Sequence, residues 1–521
     1  MAQLKYPIGV QTFPKMIEGG YAYVDKTRYV AELVRNEGYY FLSRPRRFGK
    51  SLLLSTLQAF YEGRRELFDG LAIANMDLDW IPSPVLHIDF NTGVYGSEDG
   101  LRIRLERSLE EFEAEYGVTP AGVSETDIPA RFERVIRAAY ERTGRCVVIL
   151  VDEYDKPLLA LEEGEELFEK HQSLLKGFFG SLKSMDAYIR FALLTGVARF
   201  NKVSIFSDVN NLDDISLSNQ YADICGLTED ELVGRFREGI EALSSERCED
   251  FSVTLGVLRD FYDGYRFAPK GTRLYNPFSV LLALRKREVA PYWFETGTPT
   301  FLARRIKSSG IDPVALNSQW CSRRELTSMT SGSRNTVTLM YQTGYLTIHG
   351  YDAALDSYEL GFPNREVEVG FAEYLLPLYL PETGDVGGNF DIGAFRTDLY
   401  AGNPEMFMER LLVLLKGLPG EDHLESTYRG VVYLLCTLSG ADVRAEHRSY
   451  KGRSDLEVMT PKYRYIFEFK YNSSAEVALR QIHDRDYNGP YSLDSRTVYL
   501  IGANFNERKD ERGLTYIIEK M

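Results

Sequence analysis

The chain has no paired cysteines to work with. Its five cysteines (146, 225, 248, 321 and 436) are odd in number and contain no C-x-x-C pair. That pattern predicts reduced thiols and no Cys-based zinc site. No apolar run reaches membrane-spanning length, and Met1-Ala-Gln-Leu-Lys-Tyr-Pro7 has no apolar core of a leader. The expectation is a cytoplasmic protein with no membrane contact. Positive charge is also in deficit: the formal net charge is −15. Global attraction to nucleic acid is therefore excluded, and any such contact needs a local basic patch. Low-complexity tracts and internal repeats are absent as well. At 521 residues, the chain is too long for one hydrophobic core and predicts several domains.

What is present begins with Arg44-Pro-Arg-Arg-Phe-Gly-Lys-Ser51. An apolar run, Tyr39-Tyr-Phe-Leu42, precedes it, and Leu52-Leu-Leu54 follows it. This reads as strand, loop, helix, the arrangement in which backbone N–H groups and a helix N-terminus wrap phosphates. Arg46, Arg47, Phe48, Gly49, Lys50, Ser51 and Leu52 are the candidate nucleotide-binding residues. Lys50 would neutralise phosphate oxygens, and the Ser51 hydroxyl would ligate Mg²⁺. The pattern departs from the usual one at its first glycine, where this chain has Arg44.

About 100 residues downstream, Val147-Val-Ile-Leu-Val151 reads as a strand buried on both faces of a parallel sheet. Asp152 and Glu153 follow, at the end of the strand where open α/β sheets bind ligands. Asp152 would hold Mg²⁺, and Glu153 would activate the attacking water. The next buried strand, Tyr188–Gly196, ends near Thr195, a candidate γ-phosphate sensor. Arg199 follows as a candidate sensor or arginine finger, acting in its own subunit or, in a homo-oligomer, in a neighbour's. Asp25 and Lys26 would be solvated loop charges or the edge of an adenine pocket, and Asp89 a cap or a further site acid. Asn210–Ser216 reads as a turn-rich loop.

The middle of the chain is helical from 228 to 286, interrupted by the aromatic stretches Phe261–Phe267 and Tyr275–Ser279. These predict a structural cluster that packs a helical lid. Residues 335–376 read as helix, β-hairpin, helix, a winged-helix-like module, and Pro377 should end or kink its last helix. Pro381–Gly388 reads as a linker.

The last hundred residues carry a second constellation. A helix opens at Glu425. Asp455 precedes a short strand, and Tyr465-Ile-Phe-Glu-Phe-Lys470 alternates so that Glu468 and Lys470 share a strand face. Phosphodiester hydrolysis needs a metal held by oxygen ligands, here Asp455 and Glu468, and a base or water-positioning group, here Lys470. Gln481 on the following helix would steady the site or the backbone, Glu425 would reach the metal or cap its helix, and His423 and His447 would be bystanders. Thr497–Ile501 is the expected final strand.

Taken together, Arg44–Leu52, Val151-Asp-Glu-Tyr-Asp-Lys-Pro157, Leu194-Thr-Gly-Val-Ala-Arg-Phe200 and Tyr262-Asp-Gly-Tyr-Arg-Phe267 resemble the bacterial AAA-ATPase-like family. Its members commonly carry a C-terminal PD-(D/E)XK nuclease-superfamily domain, as the Asp455/Glu468/Lys470 pattern implies here. The departure at Arg44 is a feature of that family. The resemblance implies Mg-ATP binding and a metal-dependent nuclease acting on DNA or RNA. The expected fold is α/β multidomain: a P-loop NTPase parallel sheet with helical lid at 1–285, a winged-helix-like module at 286–385, a helical linker at 386–420 and a restriction-endonuclease-like α/β domain at 421–521. The alternative is a nucleotide-dependent switch or interaction protein whose nuclease-like domain does not cleave.

Overall fold

The structure is a computed structural model. The described residues are 4–118, 127–161, 165–199, 205–206, 209, 211–294, 300–327, 333–379, 390–416, 425–445, 448–449, 452–485, 494–506 and 513–521. The linker Pro381–Gly388, His423 and His447 lie outside them. The chain is an α/β multidomain protein that divides into two compact units. Unit 1 comprises Met1–Tyr292 and Trp320–Asn364, and unit 2 comprises Trp293–Gln319 and Arg365–Met521.

Unit 1 is built on a five-stranded parallel sheet of β1 (Gly38–Ser43), β2 (Val85–Asp89), β3 (Val147–Asp152), β4 (Ile189–Gly196) and β5 (Leu212–Asp214), in the order β2-β3-β4-β1-β5. Every residue of β3 is buried, as its unbroken Val/Ile/Leu run requires of a strand covered on both faces. Parallel strands need crossovers, and Lys50–Tyr61, Gly100–Tyr116, Ile128–Thr143 and Glu166–Ser184 supply helices for them. The register sets Thr195 beside Leu42, and Asp152 beside Asp89. The carboxyl ends of β1, β3 and β4 therefore meet at one edge of the sheet. β5 lies within the stretch expected to be a loop. Its two aspartates are poor strand formers, but pairing with Tyr39–Phe41 supplies the ladder that local preference does not.

The expected module at 286–385 does not stand as a unit of its own. The helix Ser333–Thr343 and, apart from Gln319, a small sheet of β6 (Gln319–Ser322), β7 (Thr347–Asp352) and β8 (Ser357–Gly361), ordered β6-β8-β7, lie in unit 1. Thr347 Oγ1 accepts from the Arg266 backbone N–H at 2.7 Å, and Asn364 Nδ2 donates to the Asp263 carbonyl at 2.8 Å. The expected third element of that module, the helix Arg365–Tyr379, belongs to unit 2 and runs through Pro377 for two more residues. It packs on Glu425–Leu438, where Glu368 Oε1 accepts from the Tyr433 hydroxyl at 2.6 Å.

Unit 2 carries a mixed sheet of β9 (Asp442–Ala445), β12 (Leu456–Met459), β13 (Tyr463–Tyr471), β14 (Thr497–Asn506) and β15 (Gly513–Lys520), with the short pair β10 (Arg448–Ser449) and β11 (Gly452–Arg453) outside it. The order is β15-β14-β13-β12-β9, with β13 and β14 parallel and the other pairs antiparallel. β14 is longer than expected and is not the last strand: β15 covers its outer edge. The helix Ala475–Asp484 packs against β13 and β14.

Candidate nucleotide and metal sites

In unit 1 the phosphate-loop geometry starts at Arg44. Its side chain is 1% exposed. Nη1 donates to the carbonyls of Ser43 at 2.8 Å and Ser216 at 2.9 Å, and Nη2 to that of Tyr221 at 3.0 Å. The guanidinium also lies 4.4 Å from the centre of the Phe267 ring. Phe48 is buried edge-on against Tyr265 and Phe267, at 4.8 and 5.3 Å between ring centres. The aromatic stretch expected to pack a lid thus packs the loop itself. Arg46 and Arg47 between these anchors, and Gly49 just after them, are exposed. Arg47 has φ +69° and stacks its guanidinium 3.9 Å over Phe278. Gly49 has φ +100° at the N-cap of Lys50–Tyr61, a backbone setting that strains any side-chain-bearing residue.

The loop then delivers two side chains, Lys50 and Ser51, to the end of β3, where Thr195 of β4 joins them. Lys50 is buried, and its Nζ lies 3.0 Å from Glu153 Oε1 and donates to the Arg44 and Pro45 carbonyls. Ser51 Oγ donates to Asp152 Oδ2 at 2.5 Å, and Thr195 Oγ1 donates to Asp152 Oδ1 at 2.8 Å. Burial raises the Asp152 pKa, opposed by these two hydrogen bonds. Glu153 sits at φ +52°, a strained setting of the kind that gathers at functional sites. Leu52 is half-buried in the first turn. A hydroxyl and a buried carboxylate in contact form a hard-oxygen pair, and the pair fits Mg²⁺. Arg199 is ion-paired with Asp214, and its backbone N–H donates to Gln342 Oε1 at 2.9 Å. Asp25 accepts from Thr27 and Ala72, Lys26 pairs with Glu231, and Asp89 accepts from the Asn91 N–H, so all three have local structural partners.

In unit 2 the alternation on β13 sends Glu468 and Lys470 to one face, and Lys470 Nζ lies 2.9 Å from Glu468 Oε1. Gln481 Nε2 donates to the same oxygen, which ties the helix Ala475–Asp484 to Glu468. Asp455, just before β12, accepts from the Phe469 N–H at 2.8 Å, which ties it to the neighbouring strand beside Glu468. Arg429 Nη1 lies 3.9 Å from Asp455 Oδ1. Among the described residues no group of three or more His, Cys, Asp or Glu side chains is placed to hold a metal. Glu468 beside Lys470, with Asp455 tied to the same strand, nevertheless offers carboxylate oxygens of the kind that fit a hard divalent cation. The Glu425 side chain is outside the description.

Residues 7–206 match the family model described as "Predicted AAA-ATPase", AAA-ATPase-like, and residues 423–513 match the PD-(D/E)XK nuclease superfamily. A protein of Azotobacter chroococcum mcd 1, described as "Uncharacterized protein in vnfD 5'region", is 35% identical over 539 aligned positions, covering 100% of each chain. The chain belongs to the predicted AAA-ATPase-like family.

In this AAA-ATPase-like protein, two residues near the sites escaped sequence reading. Asp155, fully buried, accepts from the backbone N–H groups of Val197 and Ala198 and links the β3 loop to the turn after β4. Its place three residues past Asp152, in the turn of a buried strand, was the available signal. The other is Asp312, which pairs with Arg429 from 117 positions away. No local pattern marks such a pair.

Proposed function

We propose that the chain binds and hydrolyses Mg-ATP in unit 1 and cleaves nucleic-acid phosphodiesters in unit 2. The observation that carries this reading is the convergence of Lys50, Ser51, Asp152 and Glu153 at the carboxyl ends of β1 and β3. The backbone of Arg46–Gly49 wraps the phosphates, and Lys50 exchanges its loop carbonyls for phosphate oxygens. Ser51 and Asp152 hold Mg²⁺, which shields phosphate charge when bound. Glu153 orients the attacking water, and Thr195 keeps Asp152 in place. Arg199 contributes to hydrolysis only when its pair with Asp214 opens, with a neighbouring subunit's arginine as the other source.

In unit 2, Asp455 and Glu468 hold the divalent cation, which when bound polarises the phosphate and acidifies a water. Lys470 positions that water, and Gln481 fixes the rotamer of Glu468. Two measurements test the reading. Lys50→Ala should weaken ATP binding by about 10- to 100-fold in an equilibrium titration. Glu468→Ala and Lys470→Ala should each lower Mg²⁺- or Mn²⁺-dependent cleavage of DNA or RNA by at least about 100-fold. Undiminished ATP affinity in the first variant would remove the nucleotide site from the reading.

The net charge of −15 favours a second reading, in which the C-terminal domain binds without cutting and ATP acts as a switch. Metal-dependent cleavage that is lost in Lys470→Ala decides between the two.

A further inference from the structure

Arg429 lies at the edge of the candidate metal site with two acidic neighbours. Nη1 lies 3.9 Å from Asp455 Oδ1, while Nη2 donates to Asp312 Oδ2. Arg429 and Asp312 are each 15% exposed at the side chain. Asp312 comes from a different stretch of unit 2, at the head of the short 3₁₀ helix Pro313–Asn317, where its Oδ1 also accepts from the Val314 N–H at 2.9 Å. That helix packs on Glu425–Leu438, and a Cβ added at Gly430 would lie 3.2 Å from Pro313 Cδ. A side chain at Gly430 would therefore crowd Pro313, the residue next to Asp312.

The electrostatics of this triplet need an account. A guanidinium that close to a metal-holding carboxylate opposes a divalent cation, unless an anion lies between or beside the two positive charges. A phosphodiester is such an anion, and a guanidinium recognises carboxylate and phosphate oxygens through the same fork of donors. We propose that Arg429 is a phosphate-binding residue of the C-terminal site and that Asp312 occupies its donors in place of substrate phosphate. The segment bearing Asp312 thereby restrains substrate binding from within unit 2. This inference rests on the nucleic-acid reading of the site and adds to it a named contact and an internal competitor.

The test is binding rather than cleavage. Fluorescence anisotropy is measured on the full chain with labelled duplex DNA, single-stranded DNA and single-stranded RNA, in EDTA and again with Ca²⁺. Asp312→Asn keeps the cap on Val314 but removes the charge, and should tighten binding by about five- to tenfold. Arg429→Ala should weaken binding at least about tenfold. It should also lower the slope of log affinity against log salt by about one, which loss of a purely structural arginine would not do. Asp312→Asn should have no effect in the Arg429→Ala background. Equal affinities for wild type and Asp312→Asn would overturn the competitor role, whether or not Arg429→Ala folds. Wild-type binding with an unchanged salt slope in Arg429→Ala would overturn the phosphate contact and leave the nuclease reading standing. No binding by wild type or Asp312→Asn to any of the three probes, in either condition, would remove both.

Discussion

A guanidinium buried at the head of a phosphate loop has to be held by something, and at Arg44 that something is backbone. Its donors satisfy carbonyls of Ser43, Ser216 and Tyr221, so one side chain clamps the loop to the segment after β5. Glycine at this position would supply loop freedom without the clamp. Arg44→Gly, which restores the commoner phosphate-loop pattern, should therefore destabilise the protein, by about 2–4 kcal/mol in urea unfolding, because it strands buried carbonyls. Asp155 gives the residue scale its pH dependence. Burial, reinforced by the charge of Glu153, raises its pKa from 3.8 to about 7. The folded state therefore favours the neutral acid, while the unfolded chain ionises it near 3.8. Its contribution to stability is fully present below about pH 4 and is lost as pH rises towards about 7. Asparagine can still accept from Val197 and Ala198 but cannot ionise. The melting temperature of Asp155→Asn should gain on wild type progressively from about pH 4 to about pH 7, and a constant difference would refute the assignment.

At the scale of elements, the sequence was most legible where hydrophobic length and charge placement agree. β3 is a five-residue apolar run ended by two acids, and Glu468 and Lys470 follow the two-residue period of a strand, so strand type and side-chain face could both be read directly. β5 and β15 were missed because each is a sheet edge whose pairing is set by a distant partner: three residues with two aspartates in one case, and a half-buried C-terminal strand in the other. The division of the 286–385 stretch was illegible for the same reason. Helix and hairpin periodicities are local, but which core receives them is fixed by contacts such as Thr347 with Arg266 and Glu368 with Tyr433. Gln342 is one such contact within unit 1. It accepts from the Arg199 N–H and donates to the Leu326 carbonyl at 3.0 Å, in buried surroundings. Gln342→Leu leaves both partners unsatisfied, so thermal unfolding of unit 1 should fall by on the order of 2–4 °C for each kcal/mol lost. An unchanged transition would mean that Gln342 does not hold the helix Ser333–Thr343 in place.

For the whole molecule, the consequence of this division is that neither unit is continuous in sequence. The chain passes from one to the other after Tyr292, after Gln319 and after Asn364. The stretch 421–521 holds Asp455, Glu468 and Lys470, yet by itself it lacks much of what packs their support. The helix Glu425–Leu438 lies against Arg365–Tyr379 and the short helix Pro313–Asn317. At that junction the Tyr433 hydroxyl is buried between Glu368 and Asn317. Removing these partners exposes the apolar side of the helix and leaves the Tyr433 hydroxyl without its buried acceptor, each a substantial fraction of an ordinary domain's stability. A fragment comprising 421–521 should therefore show no cooperative unfolding transition by circular dichroism. Extending it back to residue 365 restores the first helix but not Asn317 or Asp312, and should give a weak transition. Full cooperativity should require the 293–319 segment, added in trans as a peptide or present in the intact chain. A stable, cooperative 421–521 fragment would mean that the nuclease-like sheet and its first helix form a core without the rest of unit 2, and that the role of 293–319 is confined to the Asp312 contact.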